Sequence, residues 1–214
     1  MNDEFVFVLE EYKKRYIKIF QTYYPANAST GFTERNQSVN FCCSFEKLYP
    51  DSIIWYEVPF GEKFKQHFDA VVVDPIGKRI LIIESKRFTN SVQKIHSVGE
   101  DIERITKQSN IDNIVQMVAE YNKEMKNYAV HGVFLADVWT ENKDKLEIAT
   151  KWNSDFFAEL LKKTDLSDEI SNNMKKNIDT IWKIDFPEVG ISSIKDKYNL
   201  LVCIWKISVA NCYG

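Results

Sequence analysis

Two apolar, β-branched runs separated by a short turn dominate the middle of the chain. Residues 68–74 read FDAVVVD and residues 79–88 read RILIIESKRF, and both have the composition of buried strands. Residues 74–78 (DPIGK) between them are of the types that favour a tight turn. The pattern predicts an antiparallel hairpin over 68–88. The hairpin then serves as the reference for the rest of the fold.

Helix and strand patterns alternate on both sides of this hairpin. Apolar residues spaced by three and four predict helices, and β-branched and aromatic runs predict strands. The predicted helices are 4–23, a segment between Thr33 and Pro50, 91–107 and 111–126, and the further strands are 52–60 and 128–139. The last of these strands is almost wholly apolar, so we expect it to be central and buried on both faces.

The remainder of the chain has a weaker pattern. We predict helices at 151–163 and 167–183, and either a strand or a buried helix at 198–207. The expected fold class is therefore α/β, with a mixed central sheet flanked by helices. A single domain over 1–214 would comprise a core at 30–140 with helix 4–23 packed on it, and a mostly helical C-terminal extension at 141–214.

Composition excludes several classes of protein. Hydrophobic residues make up 44% of the 214 residues, enough for a substantial core, and the apolar runs are too short for a membrane helix. The four cysteines form no zinc-type spacing, and the acidic N-terminus is unlike a secretory signal, so we expect a cytoplasmic protein and no membrane partner. The net charge of −3 gives no bulk attraction to nucleic acid.

Three of the charged residues in the predicted hairpin fall close together on one face, namely Asp69, Glu84 and Lys86. A turn centred near 76.5 pairs residues whose numbers add to 153, which sets Asp69 opposite Glu84. Side chains alternate along a strand, so Lys86 lies one step beyond Glu84 on the same face. Two carboxylates and an ammonium group thus converge among valines and isoleucines, where charge is costly unless it is paired or binds a cation.

Paired carboxylates are the oxygen ligands that Mg²⁺ prefers. A metal held by Asp69 and Glu84 could activate a water and neutralise charge on a phosphodiester, and Lys86 could hold that water. The alternative is a buried ion-pair network that only stabilises the sheet.

Asp69 and Glu84-Ser85-Lys86, with fourteen residues between them, resemble the motif of the PD-(D/E)XK nuclease superfamily, which has the restriction-endonuclease-like fold. The likeness covers about Thr33 to Trp139, with Phe68 where many members have proline. It implies a Mg²⁺-dependent nuclease, with Mn²⁺ as a substitute and DNA ahead of RNA as the substrate. The implied metal ligands are Asp69, Glu84 and the backbone carbonyl of Ser85, and Lys86 is the implied catalytic lysine.

The resemblance also implies a glutamate on the helix before the sheet. Glu34 fits this role because it begins a predicted inward stripe, whereas Glu46 falls on a different face. The members of the stripe are Glu34, Ser38, Phe41, Phe45 and Leu48.

Two further residues are candidates for substrate contacts, and two questions stay open. His67 shares the face of Asp69, and Gln93 begins the helix after the lysine. A non-catalytic nuclease-like module that binds nucleic acid or protein is the alternative function, although an intact Asp, Glu and Lys set argues against it. A homodimer also remains open.

Overall fold

A six-stranded mixed sheet forms the centre of the protein. The computed structural model describes residues 3–22, 34–60, 66–88, 93–140, 143–162, 172, 174–187, 189 and 197–207. The strands are β1 (Ile53–Phe60), β2 (Gln66–Asp74), β3 (Arg79–Phe88), β4 (Ala129–Trp139), β5 (Ile178–Ile184) and β6 (Tyr198–Ile207). Their order in the sheet is β1-β2-β3-β4-β6-β5. β3 and β4 are parallel, and the other neighbours are antiparallel. The predicted α/β class with a mixed sheet is confirmed.

Helices cover both faces of this sheet. They are α1 (Asp3–Thr22), α2 (Glu34–Leu48), α3 (Gln93–Thr106), α4 (Gln108–Tyr121), α5 (Lys143–Thr150) and α6 (Ser154–Lys162). Apolar residues of α1 and α2 pack with Val72, Leu81 and Val133 on one face. Residues of the other four helices pack with Val71 and Ile82 on the opposite face. None of the described helices has the length and apolar character needed to cross a membrane.

The β2–β3 hairpin has the predicted register. Its pairs run from Ala70 with Ile83 to Asp74 with Arg79, and the numbers of each pair add to 153. The same strands lie inside the sheet, between β1 and β4. Both strands are therefore central, and helices bury their side chains on both faces of the sheet, which explains why their apolar runs are almost continuous.

The hairpin turn is built around a buried carboxylate. Asp74 Oδ1 accepts hydrogen bonds from the N–H groups of Ile76 (3.1 Å) and Gly77 (2.9 Å). Asp74 Oδ2 accepts a bond of 2.9 Å from Arg79 Nε, and both side chains are almost fully buried. A Cβ atom at residue 77 would overlap Asp74 Oδ2, so glycine is required there. The carboxylate thus fixes the turn and the position at which β3 begins.

The C-terminal part differs from the prediction. Strand β5 (Ile178–Ile184) stands where the end of the predicted helix 167–183 was expected, and residues 163–171 lie outside the described part. Residues 198–207 form β6, the strand alternative, and α5 was not predicted. Besides helices α5 and α6, the described residues of 141–214 supply two strands of the central sheet, which the expected, mostly helical extension did not include. β6 pairs along the whole length of β4, which buries both strands.

We expect Asp74→Asn to lower the free energy of unfolding by about 3–5 kcal/mol, because it leaves the Arg79 guanidinium buried without its counter-charge. Urea denaturation measures this change. The control is Glu147→Gln, which breaks an exposed ion pair with Lys151 (2.7 Å) and should cost less than about 0.5 kcal/mol. Equal losses in the two variants would show that the buried turn contributes no more than a surface pair.

Candidate active site

The two acidic residues of the hairpin lie at its open end. The observed register, extended by one position beyond Ala70 and Ile83, sets Asp69 opposite Glu84. Asp69 Oδ2 accepts a hydrogen bond of 2.7 Å from the backbone N–H of Ser85. The carboxyl group of Asp69 is therefore held against the segment that carries Glu84, and its charge raises the pKa of Glu84.

Burial raises the pKa of Asp69 above its usual value. The hydrogen bond from Ser85 lowers the pKa, and the nearby carboxylates of Glu34 and Glu57 raise it again. Glu57 is one strand away, on β1, where its backbone has a φ of 52° and its side chain accepts a hydrogen bond from Arg35. The negative charges of these two carboxylates thus oppose the ionisation of Asp69.

Glu84 is the most strongly perturbed acid of the site. The residue is 4% exposed, and burial raises its pKa to about 8. The cations Arg104 and Lys86 lower the pKa, whereas Asp69 and Glu34 raise it. No described group donates a hydrogen bond to Glu84 Oε1, and Arg104 Nη2 is 3.8 Å away. A buried carboxyl oxygen without a donor is rare in folded proteins and marks a place where a cation or water would be favourable.

Lys86 forms a short ion pair with a residue that the sequence analysis did not identify. Its Nζ lies 2.6 Å from Oδ2 of Asp101 on α3, and the Asp101 side chain is only 3% exposed. Arg104, one turn later on α3, contacts the other oxygen of Asp101. The spacing of Asp101 and Arg104 on the helix that follows the lysine was the available signal.

Glu34 reaches the same end of β3 from the opposite face of the sheet. It is the first residue of α2, and its Oε1 accepts a hydrogen bond of 3.0 Å from the backbone N–H of Arg87. The charge of Glu34 raises the pKa of both hairpin acids. Glu46 is exposed, and the groups whose pKa it raises are Cys42 and Tyr56.

The predicted inward stripe of α2 is only partly right. Ser38, Phe41 and Phe45 are buried, but Leu48 is 39% exposed. The buried set also includes Gln37 and Cys42, which were not in the stripe. The buried face of α2 is therefore broader than the predicted stripe, and it includes a polar residue close to the site.

Gln37 joins α2 to the end of β3 and to the neighbouring strand. Its Nε2 donates hydrogen bonds of 3.0 Å to the backbone carbonyl of Lys86 and to Oδ1 of Asp137. Asp137 is fully buried, and its Oδ2 accepts a bond of 3.1 Å from the hydroxyl of Tyr198. A carboxylate inside the apolar run 129–139 was visible in the sequence as a signal for a polar network.

Two candidate substrate-binding residues are not joined to this cluster by any described contact. His67 is exposed on β2, where it pairs with Pro59 of β1. Gln93 is the first residue of α3, and its side chain lies outside the described part of the chain. Both remain predictions.

The described residues contain no group of three or more His, Cys, Asp or Glu side chains arranged to hold a metal. The metal ligands that the motif resemblance implies include two such side chains, Asp69 and Glu84, together with the backbone carbonyl of Ser85. Its chemistry is nevertheless that of a hard-cation site, because every donor is an oxygen.

Comparisons with protein families, with curated proteins and with solved structures found no significant match.

We expect the stability of the metal-free protein to depend on the ionisation of Glu84. Its pKa is about 8 in the folded chain, against 4.5 for an ordinary glutamate. The stability contributed by its neutral form is complete below pH 4.5 and is lost as the pH rises through 8. Glu84→Gln has no carboxyl group to ionise at this position, so its stability should not fall in this way as the pH rises. The variant should therefore gain on the order of a few kcal/mol over wild type between pH 5 and pH 9.

Urea denaturation at the two pH values, in the presence of a chelator, measures this difference. Glu120→Gln, at an exposed position of α4, is the control and should show no such gain. A constant difference between Glu84→Gln and wild type at both pH values would contradict the raised pKa.

Proposed function

We propose that this chain is a Mg²⁺-dependent nuclease of the PD-(D/E)XK type, which hydrolyses phosphodiester bonds in nucleic acid, with DNA favoured over RNA. The observation that carries the proposal is the meeting of Asp69 and Glu84 at the open end of the β2–β3 hairpin, with Lys86 one step further along β3. The restriction-endonuclease-like form of the fold is part of the same proposal.

The residues present fit a divalent cation. Glu84 Oε1 is buried and receives no hydrogen bond from the described residues, and its carboxyl group is desolvated strongly enough to raise its pKa to about 8. Asp69 uses Oδ2 for the hydrogen bond from Ser85, so its orientation is fixed by the backbone. Asp69, Glu84 and the carbonyl of Ser85 would hold Mg²⁺, and Mn²⁺ would take its place. Glu34 of α2 would add a third carboxylate, and so a fourth oxygen donor, or orient a bound water.

A bound Mg²⁺ would supply positive charge for a phosphate oxygen and lower the pKa of a bound water. The reaction attaches the water oxygen to phosphorus and breaks the bond from phosphorus to the leaving sugar oxygen. In our proposal the Nζ of Lys86 donates a hydrogen bond to the attacking water and offsets the negative charge that develops on the phosphate. The carboxyl of Glu84 has to lose its proton before it can act as a ligand.

The position of Lys86 supports this role. Its side chain is 16% exposed, so its ammonium group is largely shielded from bulk water while it remains at the wall of a polar cavity. The ion pair with Asp101 keeps the ammonium in one place. A positioned charged donor in a site of low polarity stabilises a transition state better than a mobile one does.

The second candidate function is a nuclease-like module that binds nucleic acid or protein without cutting it. The observation that favours it is the engagement of both cations near Glu84: Lys86 pairs with Asp101, and Arg104 contacts Asp101 and faces Glu84. A site balanced in this way can persist without a metal. The two candidates differ in whether divalent cations bind and whether nucleic acid is cleaved.

We expect Asp69→Asn and Glu84→Gln each to weaken Mg²⁺ binding by at least about tenfold, since each removes one charged oxygen ligand. Isothermal titration calorimetry at pH 9, with Mn²⁺ in parallel, measures the affinity. Glu34→Gln should weaken it less, and Glu46→Gln is the matched control on the same helix. Equal affinity in Asp69→Asn, Glu84→Gln and wild type would refute the metal site.

We expect Lys86→Ala to reduce Mg²⁺-dependent cleavage by about 10²–10³, because one preorganised charged donor is lost from the transition state. Its affinity for Mg²⁺ should remain within about threefold of wild type. Rates on single-stranded and duplex DNA and on RNA are compared, with Lys47→Ala, an exposed lysine of α2, as the control. Cleavage by Lys86→Ala at the wild-type rate would remove the lysine from the mechanism, and unfolding of the variant would favour a purely structural ion pair.

A further inference from the structure

A polar cavity of about 570 Å³ opens beside Lys86. Four of its lining residues belong to α3, and the others come from β2, β3, the junction between α3 and α4, and α4 itself. The charged residues that line it are Lys86, Glu100, Asp101, Glu103, Arg104 and Lys107. The cavity is therefore continuous with the candidate active site through Lys86, and nothing in the motif assigns a role to its α3 residues.

We propose that this cavity binds a phosphate group of a nucleic-acid backbone and that Arg104 is the residue that contacts it. The inference rests on the proposed function, because it assigns to the nuclease site a pocket for one phosphate of its substrate. It adds to that proposal a binding residue outside the Asp, Glu and Lys motif.

Arg104 has both the reach and the spare hydrogen-bonding capacity for this contact. Its Nη2 contacts Asp101 Oδ1 and lies 3.8 Å from Glu84 Oε1. Its Nε is buried and has no hydrogen-bond partner among the described residues, although the side chain as a whole is 31% exposed at the cavity. A guanidinium carries five donors in a planar fork that matches two oxygens of a phosphate.

The distribution of charge in the cavity favours an anion at its inner end. Of the side chains that line this end of the cavity, Lys86 and Arg104 share one buried carboxylate, that of Asp101, so the three sum to one positive charge, and Asp69 is not part of the lining. Glu100, Glu103 and Lys107 are all exposed and lie at the rim, where water and salt screen them. An anion at the inner end is therefore attracted more strongly than the near-neutral sum of the cavity charges suggests.

Asp101 also makes the inner wall rigid. The same side chain, 3% exposed, holds the Lys86 ammonium through one oxygen and the Arg104 guanidinium through the other. The two cations are therefore fixed relative to each other before any ligand arrives. A preorganised pair of cations loses little side-chain freedom when it binds a phosphate.

The test measures binding of thymidine 3′,5′-bisphosphate to the full chain by calorimetry, in a chelator, so that metal binding does not contribute. We expect Arg104→Gln to weaken binding by at least about tenfold. Lys107→Gln, which removes the same charge from the rim of the same cavity, should weaken it by less than about threefold at equal ionic strength. Arg104→Lys retains the positive charge and loses the planar guanidinium, so its affinity should lie between those of the other two variants. It replaces Arg104→Gln in the test if that variant does not fold.

Equal weakening in Arg104→Gln and Lys107→Gln would overturn the inference in favour of general electrostatic attraction. Absence of binding to wild type, in a protein that binds Mg²⁺ and cleaves DNA, would overturn it and leave the nuclease proposal intact. Binding that depends on Arg104, in a protein that never cleaves, would support the phosphate site and refute the nuclease.

Discussion

The buried carboxylate of Asp74 is the constraint on which the site depends. It holds the hairpin turn through two backbone N–H groups and pins Arg79 at the first position of β3. A slip of one residue in this register would move every side chain of β3 to the other face of the sheet. Glu84 would then leave the face of α3, and its contacts with Arg104 and Asp69 would be lost. The turn, about ten residues away along the chain, therefore determines which acids can meet.

The C-terminal end of β3 is where both helical layers of the fold contribute polar groups. From one face, α3 supplies Asp101 and Arg104 to the side chains of Glu84 and Lys86. On the other face, Glu34 of α2 accepts a hydrogen bond from the backbone N–H of Arg87, and Gln37 of α2 donates one to the backbone carbonyl of Lys86. The apolar cores on the two faces hold these helices in place. The polar end of the strand is thus supported by two layers that fold around one sheet.

The sequence predicted the hairpin and its register because both are set by local features, a turn and an alternation of side chains. The prediction of a helix was wrong at β5, where residues 178–184 read IDTIWKI. Most side chains of this strand are only partly buried, so buried and exposed positions do not alternate clearly. That segment becomes a strand because β6 offers it a partner, a non-local contact that single-residue propensities do not contain. Asp101 was missed for a related reason: its partner Lys86 is fifteen positions away and becomes a neighbour only when α3 packs on β3.

The charges of Asp69, Glu84, Lys86, Asp101 and Arg104 give a physical reason why the site would be stable both with and without a metal. With Glu84 neutral, as its raised pKa favours at pH 7, the carboxylates of Asp69 and Asp101 balance the cations Lys86 and Arg104. Under the nuclease proposal, binding of a divalent cation with release of the Glu84 proton leaves these groups with one net positive charge. A phosphodiester carries one negative charge and would restore neutrality. The proton on Glu84 would therefore stabilise the metal-free site, because an ionised Glu84 would be repelled by the carboxylates of Asp69 and Asp101. Because this proton must leave before Glu84 can bind a metal, metal binding would depend on pH.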